Sequence, residues 1–295
     1  MSQPRDLVGY GCTPPEAKWP GGARIAVQFV INYEEGAENC VLNGDAGSEC
    51  FLSDMVGAVS HPDRAMAMES LYEYGSRAGF WRLHRLFVQR GLPVTVFGVA
   101  RALEMNPDAV EAMLAADWEI ASHGLRWIDY QNVPEDVERA HISQAIALHA
   151  QVTGQRPLGW YQGRTSPNTA RLIAEEGGFL YDADSYADDV PYWSRHHGKP
   201  QLIVPYSLDA NDMKMVALNG FTEGEQFFRY LRDTFDQLRD EGGRMMSIGL
   251  HARIAGHPAR ARAVARFIDH VVASGDAWVA RRIDIARHWI AEHPA

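Results

Sequence analysis

Short apolar runs, separated by amphipathic segments that stop at glycine, constrain this chain more than any other feature. The runs cover 24–31 ("RIAVQFVI"), 93–99, 118–122, 158–161, 179–183, 201–207, 245–250 and 277–281. Most are continuous rather than alternating, the pattern of strands covered on both faces. Between them lie stripes at helical spacing: Phe80, Leu83 and Phe87 before Gly91; Ile142, Ala145, Ile146 and His149 before Gly154; Phe227, Leu231, Phe235 and Leu238 before Gly242. In "TSPNTARLIAEEGG" the punctuation predicts Ser166 as N-cap, Pro167 in the first helical position and Gly177 just past the end. Such strand–helix alternation implies a mostly parallel sheet with helices outside. Neither a GxGxxG after a strand nor a P-loop occurs, so a nucleotide-binding reading lacks its motif. The expectation is an α/β fold, a distorted (β/α) barrel with about seven parallel strands. With 295 residues and no shift in composition, it should be one domain over 1–295. The Pro- and Gly-rich residues 1–22 are read as an extension wrapping over its surface.

Charge and cysteine usage exclude several functions. A net charge of −10 repels phosphate backbones and anionic lipid, which argues against nucleic acid or membrane partners. No run of about 18 apolar residues occurs, and the N-terminus lacks the apolar core of a signal peptide. The three cysteines have no C-x-x-C spacing, so a disulfide framework or zinc knuckle is not expected. A reducing, cytoplasmic setting fits them, with a Cys40–Cys50 bridge the one pairing left open. Segment 37–68 is long, irregular and rich in Gly, Ser and Asp, a composition expected of a loop that covers a site.

In a parallel barrel, functional groups collect at the C-terminal ends of strands. After the first strand come Asn32, Glu34 and Glu35 in "NYEEG", and after the third comes His123 in "SHGLRW". Tyr161 and Arg164 follow the fourth in "WYQGRTSPN", Asp184 follows the fifth in "DADSYADD", and His251 follows the seventh in "GLHARIAG". Adjacent carboxylates cannot both ionise cheaply, so one of Glu34 and Glu35 should have a raised pKa and suit a general base. An imidazole such as His251 titrates near neutrality and suits a general acid.

In their order these motifs resemble the polysaccharide deacetylase (NodB-homology) family over about residues 24–290. The resemblance implies a metal site of one carboxylate and two histidines, an arginine that orients the catalytic acid, and a late histidine as general acid. The chain departs from that pattern at two places. Glu34 and Glu35 stand where the family has aspartates, and Trp127 stands where it has the second histidine. An indole N–H cannot ligate a metal, and two protein ligands are fewer than catalytic zinc sites use. A narrower resemblance, to the bacterial metal-independent allantoinases of this fold, is carried by "NYEEG", "MESLYEYGSRAGFWR", "SHGLRWIDYQ", "RPLGWYQGRTSPNT", "LDANDM" and "SIGLHARIAGHPAR". It implies hydrolysis of the ring amide of allantoin to allantoate in purine nitrogen use, no cofactor, and assembly as a homotetramer.

On this reading Glu34 or Glu35 activates water, and which one is left open. His123 polarises the carbonyl or holds the water, Arg164 fixes the carboxylate, and His251 protonates the departing nitrogen. Trp127, Tyr161 and the aromatics of 186–193, Trp193 included, should hold a flat ring, and Tyr74 or Arg77 should face the pocket. Asp184, Asp188 and Asp189 could support Arg164 or His251, or form a solvated loop. Two alternatives remain: a metal-dependent N-deacetylase of an acetylated sugar or another cyclic imide or amide hydrolase, and a non-catalytic hydantoin-binding protein.

Overall fold

The computed structural model describes residues 5–218 and 220–295, so residues 1–4 of the N-terminal extension lie outside the described residues. The strands among them are Ile25–Tyr33 (β1), Thr95–Gly98 (β2), Glu119–Ser122 (β3), Gly159–Trp160 (β4), Tyr181–Asp182 (β5), Tyr192–Ser194 (β6), Gln201–Ile203 (β7), Arg244–His251 (β8) and Ala277–Val279 (β9). They form one sheet in the order β6-β7-β5-β4-β3-β2-β1-β8, with β9 also pairing β1. Every pairing is parallel except β6–β7. Each predicted run contains a strand. The antiparallel edge strand β6 was not foreseen, because its three residues are only half-buried and carry no apolar run.

All nine residues of β1 are buried, which is why it reads as an unbroken apolar run. One edge of β1 is shared. β9 pairs its start at Ile25–Val27, and β2 pairs its end at Val30–Tyr33. Its other edge carries β8, in a register that sets Asn32 opposite His251. Two of the three helical stripes pack in one core with this strand, while Ile142 and Ala145 pack with Trp160 and Leu172. Phe80, Leu83 and Phe87, with Phe227, Leu231 and Phe235, are fully buried. Phe29 of β1 meets the rings of Phe87 at 5.1 Å and Phe267 at 6.2 Å. Each such ring contributes about 1.5–3 kcal/mol by leaving water.

One local expectation is corrected. The helix Thr169–Glu176 starts later than predicted, and Ser166 does not cap it. Ser166 Oγ instead accepts from the Asn168 N–H at 2.9 Å and donates to buried Glu138 at 2.5 Å, which leaves Pro167 ahead of the helix. Gly177, at φ 75°, ends the helix as expected. The N-terminal extension runs over the surface, with Lys18 and Pro20–Gly22 exposed, and is anchored by buried Ala17 and Trp19, whose indole donates to Arg244 O at 2.9 Å. All three cysteines are free. Among the described residues no helix is long and apolar enough to cross a membrane.

The barrel does not close by strand pairing. Between β7 and β8 the chain from Val204 to Asn211 spans the gap, with an isolated parallel bridge from Asn211 to Gly249. Arg282, fully buried, ties the seam from inside. One guanidinium nitrogen donates to Gln28 of β1 and to Ser247 of β8 (2.9 Å), and the other to Val204 O and to Pro205 O (3.0 Å). Asn32 Nδ2, which donates to both Leu250 O and the Tyr206 hydroxyl, and Ser247 Oγ, which reaches Pro205 O at 3.4 Å, also cross the gap. Arg282→Met should therefore leave several buried acceptors without a donor, at about 1–3 kcal/mol each. The expected outcome is a loss of about 3 kcal/mol or more in urea unfolding, and an unchanged midpoint would refute the seam role.

Candidate active site

The C-terminal ends of β1, β3 and β8 converge on a cavity of about 470 Å³. Glu34, His123 and His251 form its charged floor beside Asn32, while Trp127, Tyr161, Tyr186 and Tyr206 wall it with rings. Glu34 is 1% exposed and sits among three cationic or imidazole groups. His123 Nε2 donates to Glu34 Oε1 at 3.2 Å, and His251 Nε2 lies 3.5 Å from the same oxygen. The Arg253 guanidinium reaches Glu34 Oε2 at 2.7 Å and Glu35 Oε1 at 3.5 Å. Burial alone opposes ionisation of Glu34, but Arg253 and His251, with hydrogen bonds from both histidines, hold its carboxyl well below the usual range.

His251 has the complementary setting. Its Nδ1 donates to Asp212 Oδ1 at 2.6 Å. Asp212 is itself fixed, its other oxygen accepting the backbone N–H of His251 at 2.7 Å and of Ala255 at 2.9 Å. Burial disfavours the imidazolium, yet Asp212 and Glu34 outweigh it and push the pKa up to about 9. The site therefore holds an ionised carboxylate beside an imidazolium at neutral pH.

Glu35 is shifted the opposite way, raised by burial, with Arg253 opposing and Glu34 adding to the rise. It does not line the cavity. Its carboxylate accepts the backbone N–H of Glu34 at 3.1 Å and of Arg253 at 3.2 Å, which binds the end of β1 to the turn after β8. A π-helical segment, Gly75–Gly79, lies against this junction. A Cβ on Gly75 would stand 2.5 Å from Glu35 Oε1, and one on Gly79 2.0 Å from Ala252 O. Only glycine permits that approach.

Several expected roles are corrected by these positions. Arg164 does line the cavity, but it does not hold Glu34 or Glu35. Its guanidinium lies over Phe51 and Trp127 and reaches Glu49 at 3.6 Å. Arg253, two residues after His251, occupies the role assigned to it. Tyr74 stacks on His257 at 4.2 Å and accepts from Arg82, away from the cavity. Arg77 is surface-exposed beside Glu73. Asp184 accepts the N–H groups of Gln162 and Gly163, shaping the turn after β4, and does not touch Arg164 or His251. Asp188 is half-buried and accepts the N–H of Asp189 at 2.8 Å. Trp193 donates to His293 O at 2.6 Å, so of the 186–193 aromatics only Tyr186 lines the cavity. Segment 37–68 does contribute walls, at Phe51 and Leu52. It is pinned there by Tyr72, which donates to Phe51 O, and by Arg253 Nε, which donates to Leu52 O.

Sequence reasoning missed Asp212 and Arg253. The signals were present in "LDANDM" and "GLHARIAG", where an acid and a second cation sit inside the stretches that carry the resemblance.

The metal that family resemblance implies can be tested on these side chains. Its positions map to Glu35, His123 and Trp127. Here Glu34 and Glu35 are both paired with Arg253, whose guanidinium lies 5.0 Å from the Trp127 ring centre. A dication bound by these carboxylates would sit against a fixed buried cation, with an indole as its third neighbour. No group of three His, Cys, Asp or Glu among the described residues is arranged to hold an ion. The donor set does not fit a catalytic metal.

Comparison with known proteins agrees with this architecture. The polysaccharide deacetylase family profile matches residues 62–179. A Schizosaccharomyces pombe protein, provisionally named a polysaccharide deacetylase, is 39% identical over 317 residues, covering 100% of this chain and 99% of its own. A Pseudomonas aeruginosa PAO1 crystal structure with a similar provisional name is 57% identical with a TM-score of 0.97, over 99% of this chain and 100% of that one. The crystal structure of PuuE allantoinase is 54% identical with a TM-score of 0.98, and the match covers 100% of both chains. With its distorted parallel barrel and relatives aligned end to end, this chain belongs to the polysaccharide deacetylase family of hydrolases.

Proposed function

We propose that the protein is an allantoinase, opening the hydantoin ring of allantoin by hydrolysis of a ring amide without a metal. The observation that carries this reading is the placement of Glu34 between His123, His251 and Arg253, on the floor of an aromatic-walled cavity sized for a small ring. The end-to-end similarity to PuuE allantoinase supports the substrate.

The chemistry follows from the two protonation states. Glu34, ionised and facing the cavity, takes a proton from water as the water oxygen attacks a ring carbonyl. His123 donates its Nε2 hydrogen to Glu34 Oε1, so its part is to orient the base rather than to polarise the carbonyl. The C–N bond breaks as the His251 imidazolium gives its Nε2 proton to the departing ring nitrogen. The carbonyl carbon leaves as a carboxylic acid and the nitrogen as a ureido N–H. Asp212 keeps His251 charged and aimed through Nδ1, so it is a positioning residue. Glu35 is placed as a support for the backbone around Glu34 rather than as the base. The stacked Phe51, Trp127 and Arg164 form one wall against which a planar ring can lie.

Allantoin assayed beside acetylated chitooligosaccharides decides the substrate class. Turnover of allantoin alone is expected, it should survive dialysis against a chelator, and Glu34→Gln should lower kcat/KM by about 100- to 10,000-fold. Deacetylation of the sugar, or activity that returns only with added zinc, would reject the reading.

The pH profile tests the acid. His251 must be protonated, and its pKa is raised to about 9, so kcat/KM should stay level through neutrality and fall as pH rises through about 9. Asp212 is one of the anions that raise it, so Asp212→Asn should move this alkaline limb to lower pH. A limb that does not move in the variant would remove His251 from the acid role.

A further inference from the structure

Asn32, near the end of β1, is 1% exposed and lies on the cavity floor. Its side-chain nitrogen donates to Leu250 O at 3.3 Å and to the Tyr206 hydroxyl at 3.0 Å. A backbone carbonyl can only accept, so the NH2 must face Leu250 and the orientation of the amide is settled by chemistry. Both of its N–H groups are then used. The Oδ1 atom receives no hydrogen bond from the described residues, although buried polar groups almost always have a partner.

Tyr206 has the opposite vacancy. Its oxygen accepts from Asn32 and from Asn211 Nδ2 (3.3 Å), which occupies both lone pairs. Its own hydrogen is left to donate. Burial holds the phenol protonated, with its pKa raised. Asn211 cannot exchange roles, because its Oδ1 accepts the Met213 N–H at 3.0 Å. The floor thus offers an acceptor and a donor side by side, joined through one amide nitrogen.

We infer that Asn32 and Tyr206 read the N–H and C=O of a cis-amide edge, and so select ring amides and ureides over acyclic acetamides. The inference rests on the cyclic-amide reading of the site proposed above and names the residues that enforce it. In a ring the amide is held cis, and its N–H and C=O point the same way. An acyclic secondary amide is almost always trans, and its N–H and C=O point apart. It cannot satisfy both groups at once, and one buried partner stays unmet. Rejecting a ligand by leaving a buried polar group unpaired discriminates more strongly than shape alone.

Binding decides this without relying on turnover. Hydantoin, 1-methylhydantoin and 3-methylhydantoin are titrated against the wild-type protein, Asn32→Ala and Tyr206→Phe by calorimetry, with circular dichroism confirming that each variant is folded. Wild type should bind at least one of the N-methyl isomers about 10- to 100-fold more weakly than hydantoin, the loss expected when a buried acceptor loses its donor. Asn32→Ala should bind hydantoin more weakly but bring that isomer to within about threefold of it, because acceptor and crowding both disappear. Tyr206→Phe should weaken all three ligands while keeping the preference for the free N–H. Equal binding of all three by wild type would overturn the inference and leave the hydrolase reading intact. A wild-type preference that persists in Asn32→Ala would overturn the role of Asn32. Hydantoin binding with the expected pattern but no allantoin turnover would overturn the catalytic reading and keep this one. No binding of hydantoin at all would overturn both.

Discussion

The arrangement of this site depends on one buried cation. Arg253 is almost fully buried and touches Glu34 and Glu35 while lying over the Tyr72 ring at 4.2 Å. Two adjacent carboxylates in such a place would otherwise repel each other and lose their charge to desolvation. With the guanidinium between them the outcome is uneven. Glu34, which also meets His251 and His123, is driven towards the carboxylate, and Glu35 is driven the other way. Removing one partner from a buried ion pair costs about 3–5 kcal/mol, because the other charge is stranded. The three residues therefore form a unit in which no member can be lost alone.

The sheet delivers this unit to one point. Parallel pairing of β1 with β8 sets Asn32 opposite His251, and the next residues of each strand carry Glu34, Glu35 and Arg253 into contact. The pairing of β2 with both β1 and β3 brings His123 level with them. The open seam between β7 and β8 has a functional consequence. Because no strand fills it, the segment after β7 brings Tyr206 and Asn211 onto the floor and Asp212 behind His251. A fully paired barrel would have had backbone ladder hydrogen bonds where these side chains now sit.

This division explains what could be read from the sequence. Continuous apolar runs locate the buried strands, and polar residues placed directly after them, such as Glu34, His123 and His251, are legible because the strand end fixes their position. Asp212 follows no strand. It reaches His251 only by way of the seam crossing, a tertiary event without a local pattern. Arg253 lies one step beyond the strand, and an arginine is usually solvated, so composition gave no reason to place it inside. Tyr74 and Arg77 failed for a different reason. Their polarity alone pointed to the pocket, whereas Tyr74 stacks on His257 and accepts from Arg82, and Arg77 lies exposed beside Glu73. Arg164 was placed in the right cavity with the wrong partner, since a motif identifies a position but not which carboxylate stands nearest.

A fixed guanidinium also limits the chemistry open to the site. It neutralises charge, but it has no vacant coordination position with which to activate water, so on the proposed reading activation comes from a side chain. That requires an ionised base close to the substrate, and Arg253 is what keeps Glu34 ionised while buried. The same negative charge on Glu34, with Asp212 behind it, raises the pKa of His251 and keeps the acid loaded. Base and acid thus stabilise each other's charged forms across 3.5 Å, and the pair is ready before any ligand arrives. The trade is specificity for reach. On the proposed reading, a charged dyad held this tightly requires the carbonyl to be presented in one orientation. On the inference drawn above, the neutral hydrogen-bonding groups beside it, Asn32 and Tyr206, set that orientation.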